Sequence, residues 1–126
     1  MEISKNEWPI MIISGQFNAQ NDEGFRLRQL TDQLEEIYDC RVIPSFTYED
    51  GYEIFRSRSD FGSIVVDWDI PREDPAEATT AAQLIVKMRK RHRKVPIILL
   101  TGRMGMEGIP AEILRDVNDC LWKTSE

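Results

Sequence analysis

The chain has 126 residues, 41% apolar and 30% charged, which suffices for one compact domain burying somewhat under about 70% of its unfolded surface and is too short for two. With 22 acidic against 16 basic side chains its net charge is −6, which favours a soluble, self-repelling surface and argues against a whole-chain DNA binder. The longest apolar run without a charge, Trp8 to Phe17 at best, is interrupted by Ser14, Gly15 and Gln16, so no bilayer-spanning helix is expected.

The first residues, Met1-Glu2-Ile3-Ser4-Lys5-Asn6-Glu7, lack the basic flank, apolar stretch and cleavage site of a secretory signal, and the expected compartment is the cytoplasm. Cys40 and Cys120 are the only cysteines and lack the close pairing of zinc or redox motifs, so both read as small buried apolar residues. His92, the sole histidine, lies inside a run of cations, which argues against a buried Ser/His/Asp triad.

Taken in chain order, Trp8-Pro9-Ile10-Met11-Ile12-Ile13-Ser14 is a continuous apolar run ending at Gly15, the pattern of a strand covered on both faces. Leu27, Leu30, Leu34 and Ile37 then form one helical stripe, with Asn21 or Asp22 as its cap. Cys40 to Pro44 predicts a second strand, and Thr47-Tyr48-Glu49-Asp50 resembles a capping box for a helix weakened by Gly51. Gly62 to Asp67 predicts a third strand, β-branched at its centre, that runs straight into the carboxylates of Asp67-Trp68-Asp69.

After a loop to Pro75, Ala76 to about His92 predicts a helix with Ala81, Leu84, Ile85 and Met88 on its apolar face. Val95 to Thr101 is a fourth apolar strand, Gly102 to Gly108 a glycine-rich loop, and Pro110 suits the first position of a short helix to Val117. Asp119 to Lys123 is a fifth strand. This alternation predicts an α/β fold, a doubly wound five-stranded parallel sheet of order 2-1-3-4-5 lacking its last helix. That order puts Cys40 and Cys120 on opposite edges and excludes a disulfide between them, which needs Cα atoms within about 7 Å.

Two family patterns overlap on these residues. The chain resembles the phosphoacceptor receiver of two-component signalling, with Asp67 and Pro71 after the third strand, Thr101 ending the fourth and Lys123 ending the fifth. That resemblance implies a flavodoxin-like or receiver-like fold and phosphoryl transfer to Asp67. The chemistry also needs an acidic pair after the first strand to hold Mg²⁺. The position reads Ile13-Ser14-Gly15-Gln16, with no carboxylate; Asp22 and Glu23 come too late, and Asp69 alone would hold the cation poorly.

The second resemblance extends over essentially the whole chain. Ser45-Phe46-Thr47-Tyr48-Glu49-Asp50-Gly51-Tyr52, Ser63-Ile64-Val65-Val66-Asp67-Trp68-Asp69, Ala82-Gln83-Leu84-Ile85 with Val95-Pro96-Ile97-Ile98-Leu99-Leu100, and Val117-Asn118-Asp119-Cys120-Leu121-Trp122 are similar to the N-terminal "wing" domain of bacterial ornithine/lysine/arginine decarboxylases, the inducible arginine enzymes being nearest. The resemblance implies a receiver-like domain without its own chemistry, followed by a linker and a large pyridoxal-phosphate domain, that helps dimers associate into decamers. It therefore implies that residues 1–126 are a single domain of a longer decarboxylase whose chain leaves the fifth strand toward the linker. Pyridoxal phosphate needs a Schiff-base lysine, which in this family follows a histidine; here His92 is followed by Arg93, so neither the cofactor nor catalysis is expected in this chain.

Several features carry two readings. Asp67 and Asp69 make an ion or phosphoryl site, or, as the plainer and preferred reading, sit in solvent or cap the following loop. Lys87, Arg89, Lys90, Arg91, Arg93 and Lys94 make an anion, nucleotide or subunit contact, an alarmone near this domain of lysine-specific family members lending support; the preferred reading is a solvated helix end that complements the helix dipole. Met104, Met106 and Ile109 form an apolar interface loop or fold back over the sheet. Trp68 and Trp122 stack on a base or, preferably, anchor packing. The loop Ser14-Gly15-Gln16-Phe17-Asn18-Ala19 lacks the Ser/Thr/Gly density of a flavin phosphate cradle.

Overall fold

The computed structural model describes residues 8–17, 19–58, 60–68, 80–102 and 109–122. Strands and helices alternate as β1 (Ile10–Ile13), α1 (Asp22–Tyr38), β2 (Val42–Ser45), α2 (Tyr48–Ser57), β3 (Ser63–Asp67), α3 (Ala81–Arg91), β4 (Ile97–Thr101), α4 (Ala111–Asp116) and β5 (Asp119–Trp122). The five strands form one sheet of order β2-β1-β3-β4-β5, every pair parallel, as the alternation predicts. No helix follows β5 among the described residues.

Handedness decides which face each helix covers. Connections from β2 to β3, β3 to β4 and β4 to β5 all progress one way across the sheet, and the right-handed crossover rule puts α2, α3 and α4 on one face. Only the β1 to β2 connection runs the other way, so α1 alone lies on the opposite face. The two cores follow this division. Met11, Ile13, Ile64, Val66, Ile97 and Leu99 pack with Tyr48, Phe55, Leu84, Ile85, Met88 and Ile113 on the three-helix side. Ile12, Val42 and Val65 meet Leu27 of α1 and Phe17 on the other.

Local chemistry sets the helix starts. Asn21 caps α1 by accepting from the Gly24 N–H at 2.8 Å, and Thr47 caps α2 through the Asp50 N–H at 3.0 Å. Asp50 accepts from Ser45 Oγ at 3.2 Å and so ties α2 to the end of β2. The third helix starts later than its composition predicts. Thr80 accepts from the Gln83 N–H and Gln83 Oε1 accepts from the Thr80 N–H, a complete capping box that makes Ala81 the first helical residue. Residues 76–79 lie outside the described residues. Pro110 sits one position earlier than expected, as the N-cap of α4, with the extended ψ of 146° that a cap residue adopts.

The stripe assigned to α1 holds for Leu27, Leu30 and Leu34, but Ile37 is 71% exposed. It is apolar at the correct helical angle, yet no element lies over it among the described residues.

Two glycines are required by close approach. A Cβ on Gly51 would come 2.6 Å from Ile13 Cδ1, so the residue that weakens α2 as a helix is what lets it settle onto β1. A Cβ on Gly24 would strike the backbone carbonyls of Ala19 and Gln16, which cannot turn aside as a side chain can. Gly24→Ala is therefore expected to lose about 1–3 kcal/mol in urea unfolding despite alanine's better helix propensity. A neutral or stabilising result would show that the Gln16–Ala19 turn gives way.

Candidate functional site

In an open parallel sheet the C-terminal strand ends form the ligand edge. Four polar residues converge there and all are buried: Ser14 after β1, Ser45 ending β2, Asp67 ending β3 and Thr101 ending β4, none more than 1% exposed. The strands deliver them in register, since Ile13 is paired with both Ser45 and Val66, and Asp67 lies opposite Leu100, one residue before Thr101.

The expectation that Asp67 is solvated fails. Ser14 Oγ donates to its carboxylate at 2.7 Å, and the Tyr48 hydroxyl, 3% exposed, donates to its backbone carbonyl at 2.5 Å. Burying a carboxylate without such donors would cost several kcal/mol. Ser14 Oγ in turn accepts from the Gln16 N–H at 3.2 Å, which turns the chain out of β1. The hydroxyl thus stands at the end of β1, where a phosphoacceptor receiver carries its acidic pair. Thr101 Oγ1 donates to the Gly102 carbonyl at 3.2 Å. Asp69 and Lys123 lie outside the described residues, as do Met104 and Met106. Among the described residues no group of three or more His, Cys, Asp or Glu could hold a metal ion.

Neither Ser14 nor Tyr48 stood out in the sequence as a site residue. The absence of an acid after β1 is legible there, but that a hydroxyl replaces it as partner of Asp67 depends on residues 53 apart meeting across the sheet. Trp68 is partly buried against the larger core and Ile109 is buried within it, both in packing roles. The side chain of Trp122 is not among those described.

The basic run divides. Arg89 is half-buried and hydrogen-bonded internally, which corrects its reading as a solvated cation. Its Nε donates to the Asp116 carbonyl at 2.6 Å, its Nη1 to the Val95 carbonyl at 2.6 Å and its Nη2 to Asn118 Oδ1 at 2.8 Å. Asn118 Oδ1 also accepts from the Ile97 N–H at 2.8 Å, so one guanidinium joins the ends of α3 and α4 to the starts of β4 and β5. Burial lowers the Arg89 pKa from its ordinary value, while Asp116 opposes the shift.

Lys87 lies over the Tyr52 ring at 5.3 Å. Lys90, Arg91, Arg93 and Lys94 are exposed. His92 Nδ1 accepts from the Val95 N–H at 3.2 Å and shapes the turn into β4. A cleft of about 280 Å³ is lined by Phe55, Arg56, Ser57, Arg58, Arg91 and His92. Arg56 and Arg58 there are paired with Glu53 and Asp60. The Arg58 hydrogen bond holds the Asp60 carboxyl below its usual range.

Cys40 and Cys120 are free thiols on opposite edge regions, about 19 Å apart across four strand spacings. Cys40 is buried as expected, Cys120 only partly. Burial, with Glu35 and Asp39 beside Cys40 and Asp119 beside Cys120, pushes both thiols up.

This sheet and edge define a receiver-like domain. The receiver domain of a response regulator from Clostridium thermocellum superposes with a TM-score of 0.69 at 16% identity, covering 94% of this chain and 84% of that one. A response regulator from Thermotoga maritima, solved in complex with Mg²⁺-BeF, gives 0.68 at 16% identity over 93% of this chain and 87% of that one. At such identity the likeness is one of fold. Sequence is more specific: residues 23–126 match the family model of the Orn/Lys/Arg decarboxylase, N-terminal domain, and the chain belongs to that family. Biodegradative arginine decarboxylase of Escherichia coli is 26% identical over 115 residues, 90% of this chain but 15% of the relative's length.

Pyridoxal phosphate is the cofactor that the sequence resemblance implies for a longer decarboxylase. The described residues of this chain do not fit it: Lys87, Lys90 and Lys94 are all exposed at one helix end, and none follows a histidine.

Ser14→Ala should cost about 1.5–3 kcal/mol in urea unfolding, the range for a hydrogen bond to a buried charge. Adding Asp67→Asn should recover part of that loss, a coupling that a double-mutant cycle measures. Arg89→Lys should destabilise and speed amide exchange in β5, because an ammonium cannot reproduce the guanidinium fork; equal melting and exchange would remove Arg89 from this role. Both thiols ionise more readily in the unfolded chain, so stability should be flat below the ordinary thiol pKa and fall as pH rises through it, a trend that Cys40→Ala weakens.

Proposed function

We propose that this chain is the non-catalytic N-terminal assembly and regulatory domain of a longer, cytoplasmic, pyridoxal-phosphate-dependent decarboxylase of a basic amino acid, with arginine the first substrate to test. Its partners in this reading are the pyridoxal-phosphate domain that follows it and the other subunits of a homo-oligomer, a decamer by resemblance, with a nucleotide as effector. Family membership over residues 23–126 supports the parent enzyme. The observation that carries the non-catalytic reading is the bond from Ser14 Oγ to the buried Asp67 carboxylate, which puts a hydroxyl where phosphoryl transfer needs a cation-binding acid.

A second reading, a receiver phosphorylated on Asp67, draws on Asp67 and Thr101 ending neighbouring strands. The two separate cleanly. With Mg²⁺ and acetyl phosphate the chain is expected to show no acid-labile mass increase; a phosphoryl-sized increase that Asp67→Asn abolishes would replace the first reading with the second. The full-length protein, read from the coding sequence past Glu126, is expected to release CO₂ from arginine, lysine or ornithine only with pyridoxal phosphate, and the 126-residue chain to release none.

A further inference from the structure

Two helix ends meet on the three-helix face, at the edge where the strands begin. Helix α2 ends at Ser57 with Arg58 as its C-cap, and α3 ends at Arg91 with His92 as its C-cap. The cleft of about 280 Å³ lies between them, with Phe55, Arg56, Ser57 and Arg58 on one wall and Arg91 and His92 on the other. Among the described residues no carboxylate lines it.

The cleft is rich in donors that remain unused. Glu53 accepts from Arg56 Nε at 3.1 Å, and Asp60 accepts from Arg58 Nε at 2.6 Å and Nη2 at 2.7 Å. Each bond takes the Nε side of a guanidinium, which leaves both Nη groups of Arg56 and Nη1 of Arg58 for another acceptor. Arg91 is exposed and has no partner among the described residues. His92 Nδ1 accepts from the Val95 and Lys94 N–H groups at 3.2 and 3.3 Å, so the neutral ring carries its proton on Nε2 as a further donor. The α2 wall is stiffened by Phe55, which is buried, and by Arg58 lying over the Phe61 ring at 5.5 Å. Cations at a helix C-terminus complement its dipole, which accounts for the basic residues of either end taken alone. Dipoles do not require two helices to line one acid-free cleft with them.

We propose that this cleft binds a small dicarboxylate, one carboxylate on Arg91 and His92 Nε2 and the other on the unused Nη groups of Arg56 and Arg58. Three observations select that chemistry. The volume lies just below the range of drug-sized sites, which suits a molecule of a few carbon atoms rather than a nucleotide. Planar guanidinium forks match planar carboxylates, and the two-bond contact of Arg58 with Asp60 shows that match beside the cleft. The carbonyl ends of two helices oppose the dense charge of a phosphate dianion more than two carboxylates held apart on facing walls. The site lies wholly within residues 55–92, so it stands whether or not the parent protein is a decarboxylase.

The test is titration of the 126-residue chain with sodium succinate at neutral pH, read by NMR from the ring signals of His92, the sole histidine. Half-saturation is expected at about 1–10 mM, which a few solvent-exposed ion pairs supply. Acetate, which reaches one wall at a time, should bind about 10-fold more weakly. Arg91→Ala and Arg56→Ala should each weaken succinate about fivefold, the upper range for an exposed ion pair, and both side chains are exposed, so the fold tolerates their loss. Arg115→Ala removes the same charge from α4 outside the cleft and should leave the affinity unchanged. A titration that does not saturate, or one that sodium chloride of equal ionic strength reproduces, overturns the proposal. So does acetate that matches succinate, or an affinity that Arg91→Ala leaves intact. Phosphate that binds more tightly than succinate also overturns it, because the ligand is then a phosphoryl compound.

Discussion

A parallel sheet has two apolar faces and must have both covered, while the handedness of its crossovers dictates where the covering helices go. In this domain the strand order sends three helices to one face and one to the other. The larger core, the exposure of Ile37 and the open strip along β4 and β5 all follow from that imbalance. A single helix about 10 Å across cannot cover five strands spread over about 19 Å. Among the described residues, the exposure of α1's far flank is therefore a consequence of topology rather than of poor sequence patterning.

The same topology gathers Ser14, Ser45, Asp67 and Thr101 at the C-terminal ends of the strands. A carboxylate at the end of β3 is buried, and its neighbours after β1 and at the end of β2 are serines. Hydroxyl donors neutralise the cost of burying charge without supplying a cation site. The Tyr48 hydroxyl reaches the same residue's backbone and so fastens α2 to the strand end. Together these bonds fasten β1, β3 and α2 to one another at that edge.

Arg89 shows how a residue in a run of cations can differ from its neighbours. Four residues separate it from the exposed Arg93, which lies beyond the end of α3, yet its position at the meeting of α3, α4 and β5 lets it donate to carbonyls on three sides. A planar fork with five donors suits that setting, and a solvated ammonium does not. The edge strand β5, four residues long and bounded by a short α4, depends on this tie and on Asn118 for its attachment at its beginning.

Much of the fold was legible in the residues. The all-apolar runs of β1, β3 and β4, the alternation with amphipathic helices, and the sheet order that keeps Cys40 from Cys120 need only periodicity and connection rules, because strand burial on both faces is written directly into composition. Family membership was also carried by local segments in order. Other features were decided by tertiary structure alone: the burial of Asp67 and its Ser14 partner, the internal commitment of Arg89, the start of α3 at Ala81 and the exposure of Ile37. Each depends on which distant groups arrive beside a residue, and a pattern of polar and apolar letters specifies the face a side chain takes without specifying what, if anything, is packed against it.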